Sequence, residues 1–239
     1  MLSDKDVIIA CDFPSAKETF AFLDHFNGVS RKPFVKIGME LFYAEGAPMV
    51  REIRRRGHKI FLDLKLHDIP TTVKRAMAVL SSLDVDMCNV HAAGGSEMMK
   101  AALEGLRSGG RNPKLIAVTQ LTSTSEQMLH DELLIGESMP ETIVSYAQNA
   151  CRSGLSGVVC SPLEASIVHK ACGEDFLAVT PGVRFADGEA GDQKRIMTPE
   201  QARLGGSDYI VVGRPITRAE DPLEAYARCL KDFLNENLN

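Results

Sequence analysis

The chain has 239 residues, of which 44% are hydrophobic and 25% charged, a composition sufficient for one large hydrophobic core. Its net charge of -5 and its pI of about 5.7 argue against the broad basic face that binds nucleic acid through phosphates. No apolar run approaches the roughly 18 residues of a membrane span, and the apolar run after Asp6 is too short for a signal peptide. We therefore expect a single domain over residues 1–239, in the cytoplasm, with no nucleic-acid or membrane partner.

Six cysteines are scattered along the chain, at positions 11, 88, 151, 160, 172 and 229. They lack both the close paired spacing of a zinc site and the density of a disulfide scaffold. We expect them to be reduced and to fill the core as small hydrophobic side chains.

Short β-type segments alternate with longer segments of helical hydrophobic spacing from one end of the chain to the other. The predicted strands are residues 6–13, 33–39, 59–65, 86–92, 114–120, 157–161, 176–182 and 209–213. The predicted helices are residues 15–26, 47–57, 72–83, 96–109, 140–154, 162–173, 198–206 and 221–234. Such alternation predicts parallel strands, and eight units in about 240 residues predict an α/β fold of the closed (β/α)8 TIM-barrel type.

A doubly wound open sheet is the alternative architecture for the same alternation. Its nucleotide-binding members carry a glycine fingerprint at the first turn between strand and helix, and the sequence CDFPSAKE at this turn lacks one. The barrel is therefore the preferred prediction.

Three charged residues interrupt the third predicted strand and its continuation, FLDLKLHDIP. Strand side chains alternate between two faces, so the aliphatic residues from Ile60 to Leu66 share one face and Phe61, Asp63 and Lys65 share the other. In a barrel the second face points into the interior, and its last residues lie at the mouth where barrel active sites are built. Buried charges are costly, so the pair is either a structural ion pair or part of a site.

Two further charges favour a site. Lys36 lies in the apolar second strand, and Asp12 ends the first. Three neighbouring strands are therefore expected to bring four ionisable groups, including Asp63 and Lys65, to one place at the mouth.

A different kind of site is indicated at the ends of strands seven and eight. The sequences TPGVR and VVGRPI place Gly182 and Gly213 just past these strands, with Arg184 and Arg214 beside them. Barrels often bind a phosphate at this corner, and arginine supplies charge-assisted hydrogen bonds. Glycine turns after strands are common, so the prediction depends on the two motifs together. Residues 185–195, polar and without hydrophobic periodicity, are a candidate lid.

With these motifs assembled, the chain resembles the orotidine 5'-monophosphate decarboxylase family, and its bacterial, single-function branch in particular. The similarity is carried by DFPS, VKIG, DLKLHDIPTTV, VTQLTS, TPGVR, GDQKR and VVGRPI, which run through the whole chain. The resemblance implies decarboxylation of orotidine 5'-monophosphate to UMP in pyrimidine biosynthesis, without a metal or organic cofactor. It also implies a homodimer with shared active sites.

The resemblance further assigns roles to individual residues. Lys65 would protonate C6 of the pyrimidine as CO2 leaves, Asp63 would lie beside the substrate carboxylate, and Lys36 and Asp68 would complete an alternating charge network. The substrate-binding set is Asp12 and Thr72 at the ribose, Thr122 at the pyrimidine, Gln193, Gly213 and Arg214 at the phosphate, Arg184 nearby, and Ile69. Asp68 and Thr72 would reach the neighbouring subunit's site.

Two other functions share parts of this pattern. A magnesium-dependent sugar-phosphate decarboxylase or aldolase of the same superfamily has a similar Asp-x-Lys-x-x-Asp strand, and a noncatalytic phosphate-ligand-binding barrel would have the same phosphate corner. His67 and His91 lie near strand ends but have no second ligand at a recognisable spacing, so we do not predict a metal site.

Overall fold

A computed structural model of the protein describes residues 5–186 and 197–238. The strands are β1 (Asp6–Ala10), β2 (Phe34–Gly38), β3 (Lys59–Leu66), β4 (Met87–His91), β5 (Lys114–Val118), β6 (Gly157–Val159), β7 (Leu177–Pro181) and β8 (Tyr209–Val212). The helices among these residues are α1 (Ala16–Leu23), α2 (Met39–Arg55), α3 (Pro70–Leu80), α4 (Gly95–Arg107), α5 (Glu126–Asp131), α6 (Met139–Arg152), α7 (Ala165–Cys172), α8 (Pro199–Leu204), α9 (Arg214–Thr217) and α10 (Pro222–Leu234).

The eight strands form a closed parallel barrel in chain order, and β8 pairs with β1 to close it. The predicted (β/α)8 fold is confirmed. Every predicted strand has a counterpart, although several predicted strands run too far at their carboxyl ends. The extra residues, such as those from Cys11 to Phe13, belong to the loops at the barrel mouth.

Two hydrophobic clusters fill the molecule, one on each face of the sheet. The inner cluster consists of Ile8, Ala10, Phe34, Phe61, Met87, Ile116, Leu177, Val179, Tyr209 and Val211, with Val159 packed against it. The larger outer cluster lies between strands and helices and includes Ile60, Leu62 and Leu64. The predicted split of the third strand into an aliphatic face and an inner face at Phe61 is therefore confirmed.

Several helices begin at a residue whose side chain caps the first turn. Ser15, Ser125, Thr198 and Asp221 each accept a hydrogen bond from a backbone N–H of the first turn that follows. Two helices, α5 and α9, were not predicted, because six and four residues are too few to show helical periodicity. Helix α2 begins well before the predicted segment 47–57, continuing across a kink at Gly46, whose φ is 66°.

The cysteines are all free thiols, and four of the six are buried. Burial raises the pKa of the Cys11 and Cys88 thiols to about 12, so they behave as apolar core side chains at neutral pH. Within residues 5–186 and 197–238, no helix is both long enough and apolar enough to cross a membrane.

Candidate active site

A cavity of about 210 Å³ opens at the carboxyl ends of the strands, where a barrel places its functional residues. One part of its wall is apolar and the other carries charge. The wall consists of Lys36, Phe61, Asp63, Lys65, Val118, Gln120, Leu121, Thr122, Ser123, Val159, Pro181 and Val211. The cavity is therefore large enough for a small planar ring and has an ion-pair network on one side.

The charged side chains in this wall, together with Asp12 beside it, form an alternating chain. Lys65 Nζ donates to Asp63 Oδ1 at 2.7 Å, Lys36 Nζ lies 3.4 Å from Asp63 Oδ2, and Lys36 Nζ donates to Asp12 Oδ1 at 2.8 Å. The order from the strand-three end is cation, anion, cation, anion. The predicted convergence of four ionisable groups from three neighbouring strands is confirmed.

The centre of this chain is withdrawn from water, since Lys36 and Asp63 are buried with 8% and 7% of their surfaces exposed. Burial disfavours ionised Asp63, but Lys36, Lys65 and hydrogen bonds from Lys65 and Asn89 outweigh it, so the pKa of Asp63 lies below its ordinary value. Burial likewise disfavours the Lys36 ammonium, but Asp63 and Asp12 outweigh it and raise the pKa of Lys36. Both groups are therefore charged at neutral pH.

We expect Asp63→Asn to lower the free energy of unfolding at neutral pH by about 3–5 kcal/mol, the cost of breaking a buried ion pair. A carboxyl with a lowered folded pKa stabilises the protein above its unfolded pKa, and this stabilisation is lost as pH falls through the folded pKa. The difference between wild type and variant should therefore shrink below about pH 4. Urea titrations at several pH values measure it.

The exposed ion pair of Asp24 with Arg56 provides the matched control for this measurement. Asp24→Asn should change the free energy of unfolding by no more than about 1 kcal/mol, because solvent screens a surface pair. A difference for Asp63→Asn that grows on acidification would contradict the assigned charge state.

Lys65 reaches the cavity from an unusual backbone conformation. Its φ is 51°, in the left-handed region that non-glycine residues rarely adopt, and the pairing of β3 with β4 shifts register between Leu62 and Leu66. Strand alternation predicts the inner face for Lys65 but does not reveal this irregularity.

Asn89, on β4, is a residue that the prediction missed. It is 1% exposed, its Oδ1 accepts the Lys65 backbone N–H at 2.8 Å, and its Nδ2 donates to Asp63 Oδ1 at 2.7 Å. The signal that could have found it is the one used for Asp63: an amide in the middle of the apolar sequence MCNVH, on the same face as Met87.

Gly38 was also overlooked. It lies opposite Asp63 in the β2–β3 register, and a Cβ added there would come within 3.1 Å of both Asp12 Oδ1 and Lys36 Nζ. The absence of a side chain at this position leaves room for the ion pair between Lys36 and Asp12.

The predicted phosphate corner lies on adjacent strands of the closed barrel. Gly182 follows β7 with a φ of 88°, a conformation that favours glycine. Arg184 is buried and donates to the Val183 carbonyl at 3.0 Å, whereas Gly213 follows β8 and exposed Arg214 begins α9. The two glycine turns are thus brought together as predicted, and their role in binding phosphate stays a prediction.

Several predicted residues do not line this cavity: they are Asp12, Arg184, Gly213 and Arg214, described above, and Asp68, Ile69 and Thr72. Asp68, Ile69 and Thr72 are exposed, and Asp68 Oδ1 accepts the backbone N–H of Ile69 at 2.6 Å. Gln193 lies outside the described residues, as does most of the candidate lid at 185–195. Thr122 lines the cavity as predicted.

The rings of His67 and His91 lie 5.7 Å apart near the site. Burial, together with His67 and Lys65, lowers the pKa of His91, so this ring is neutral at pH 7. In the part of the chain that the structure describes, no three His, Cys, Asp or Glu side chains group as metal ligands do.

The fold and the site together define a (β/α)8-barrel enzyme with a charged site at the carboxyl ends of its strands. Residues 5–229 match the model of the "Orotidine 5'-phosphate decarboxylase / HUMPS family". The chain belongs to this family.

Individual relatives agree with the family match. The chain is 57% identical over 233 residues to an orotidine 5'-phosphate decarboxylase of Geobacillus sp. (strain WCH70), covering 96% of this chain and 97% of that one. It is 59% identical over 219 residues to the enzyme of that name from Streptococcus mutans, covering 92% and 94% of the two chains. The crystal structure of orotidine 5'-phosphate decarboxylase from Lactobacillus acidophilus superimposes with a TM-score of 0.87 at 44% identity, covering 96% and 99%.

Proposed function

We propose that the protein decarboxylates orotidine 5'-monophosphate to UMP and that Lys65 protonates C6. The single observation that carries this proposal is the Lys65 ammonium held against Asp63 in the wall of a ring-sized, partly apolar cavity. The names of the relatives support the same reaction and substrate. The product would be UMP, and the reaction would be a step of pyrimidine biosynthesis.

The reaction breaks the bond between C6 and the carboxylate carbon, and CO2 departs without the electron pair. That pair stays on C6, where no adjacent carbonyl delocalises it, so stabilisation must come from the surrounding charges and from prompt protonation. An ammonium at C6 supplies both the field and the proton. Lys65 would transfer one N–H proton to C6 and regain a proton from solvent after the product leaves.

Asp63 has two roles in this scheme. It orients the Lys65 ammonium through the 2.7 Å hydrogen bond, and it would lie beside the substrate carboxylate. Two carboxylates about 4 Å apart repel by roughly 4 kcal/mol at an effective dielectric near 20, and this repulsion disappears when CO2 departs. Lys36, buried between Asp63 and Asp12, lowers the pKa of Asp63 and keeps it ionised, and it also donates to Asp12.

The phosphate is proposed to bind at the glycine turns after β7 and β8, with Arg214, Arg184 and Gln193. Strand β8 pairs with β1, and Asp12 follows β1 by two residues, so a ribose would span from this corner to the cavity. Binding energy from the remote phosphate then holds the pyrimidine against the charges.

We also propose a homodimer in which Asp68, Ile69 and Thr72 complete the partner's site. Their exposure supports this, since Ile69 presents a large apolar side chain with 66% of its surface exposed. A single domain is proposed as well, supported by the one closed barrel and by the family match over residues 5–229. The cytoplasmic location stays a prediction.

The test is the loss of orotate-nucleotide ultraviolet absorbance after adding purified protein treated with EDTA. We expect full turnover. Activity that disappears with the chelator and returns with magnesium would favour the metal-dependent alternative, and binding without any absorbance change would favour a noncatalytic barrel. The structure argues against the first alternative, because Lys36, Lys65 and Asn89 already contact the Asp63 oxygens that a magnesium ion would need.

A further inference from the structure

Asn89 lies where strand β3 leaves its regular ladder. The register pairs Leu62 with Cys88 and Leu66 with Val90, so three residues of β3 lie opposite Asn89 alone. The two residues at the ends of this three-residue segment are Asp63 and Lys65. On the β4 side, the partners of a regular ladder are therefore missing where the two charged side chains begin.

The side chain of Asn89 fills this gap with both ends of its amide. Its Oδ1 accepts from the Lys65 backbone N–H, and its Nδ2 donates to Asp63 Oδ1, the oxygen that also accepts from Lys65 Nζ. The reverse amide orientation would place an NH2 against an N–H and an oxygen against a carboxylate, so the contacts determine this orientation.

We propose that Asn89 is a positioning residue that sets the place of the Lys65 ammonium relative to Asp63. Three hydrogen bonds link Asn89, Asp63 and Lys65 in a ring, so that both the backbone and the ammonium of Lys65 are tethered. This inference rests on the proposed decarboxylation, because the role is defined for that reaction.

The conformation of Lys65 explains why a tether is needed. A left-handed φ is strained for a residue with a Cβ, and such strain persists only where surrounding contacts enforce it. The backbone conformation determines the direction in which the side chain leaves the strand. Without Asn89, the Lys65 backbone N–H loses its acceptor and the Lys65 side chain is free to leave C6.

The first test is Asn89→Leu, which keeps a side chain of similar size but removes both hydrogen bonds. We expect kcat to fall by about 10²-fold, the cost of misplacing a reacting group by about 1 Å, while Kd for UMP stays within about threefold. Thr180→Val is the matched control: Thr180 is fully buried on the outer face of β7 and donates to Ser207 at 2.9 Å. Its kcat should equal that of the wild type.

The second test, Asn89→Asp, keeps the acceptor for Lys65 but places a carboxylate against Asp63. A neighbouring negative charge raises the pKa of the introduced carboxyl, and once protonated its O–H can donate to Asp63 as the amide does. The ratio of kcat for the variant to kcat for the wild type should therefore rise as pH falls from 8 to about 6. The titratable and charged groups around position 89 are Asp63, Lys65, Lys36, Asp12, His67 and His91. They occur in both proteins, so the ratio isolates the introduced carboxyl.

A wild-type kcat in Asn89→Leu, or a kcat ratio in Asn89→Asp that does not change with pH, would overturn the role of Asn89. An equal loss in Thr180→Val would also overturn it, since any buried hydrogen bond would then suffice. A wild-type protein that leaves orotidine 5'-monophosphate unchanged would instead refute the proposed function, and the two failures are told apart by the wild-type assay. If Asn89→Leu does not bind UMP and is therefore judged unfolded, the pH dependence of the near-isosteric variant Asn89→Asp decides the question.

Discussion

Lys65→Ala should lose at least about 10⁴-fold in kcat while still binding UMP. A positioned general acid accelerates a reaction by about 10²–10⁴-fold, and one preorganised electrostatic contact by about 10²–10³-fold. The expected loss combines the two accelerations. Both effects are removed together, because in the proposed mechanism the ammonium that would donate the proton would also be the charge nearest C6. The measurement is single-turnover decarboxylation beside a UMP titration.

Binding should survive because the phosphate corner and the apolar wall do not depend on Lys65. Loss of the ammonium also leaves Asp63 with its Lys36 and Asn89 contacts, so the site stays assembled. Lys59→Ala is the matched control, since Lys59 begins the same strand at the opposite end of the barrel. It should retain wild-type kcat. Turnover by Lys65→Ala within about tenfold of the wild type would remove Lys65 from the proton transfer.

Much of this architecture follows from hydrophobic pattern alone. A parallel strand that is buried on both faces appears as a short apolar run, and a helix of two or more turns shows a periodic stripe. The positions of Lys36 and Asp63 can be predicted as well. Alternate side chains of a barrel strand point into the barrel interior, and both residues are on that alternation.

The local details of the site do not follow from these patterns. Lys65 has a left-handed φ, and its backbone N–H bonds to the amide of Asn89 on another strand, a contact that no local motif predicts. The short helices α5 and α9 have too few residues to show a hydrophobic period. Asp68 shows the limit most clearly, because its proposed partner in the network would be on a second copy of the chain.

The exposed position of Asp68 leads to the second large effect. Lys65→Ala and Asp68→Ala should each lose most of their activity. For Asp68→Ala we expect kcat to fall by about 10²-fold, because one preorganised charge is lost. If Asp68 serves the partner's site, a mixed dimer has one site with both native residues. Random exchange in a two-fold dimer makes half of the dimers mixed, so about a quarter of all sites should regain activity.

The mixing experiment includes its own control. The two variants are unfolded in urea together, refolded, and assayed against each parent refolded alone. Lys65→Ala mixed with Lys36→Met should stay inactive, because both side chains contact Asp63 within one chain and no mixed dimer restores a complete set. If the mixture with Asp68→Ala recovers about a quarter of the wild-type activity and the mixture with Lys36→Met recovers none, Asp68 acts in the partner subunit's site. No recovery in either mixture would confine the whole charge network to one subunit and remove the need for a dimer in catalysis.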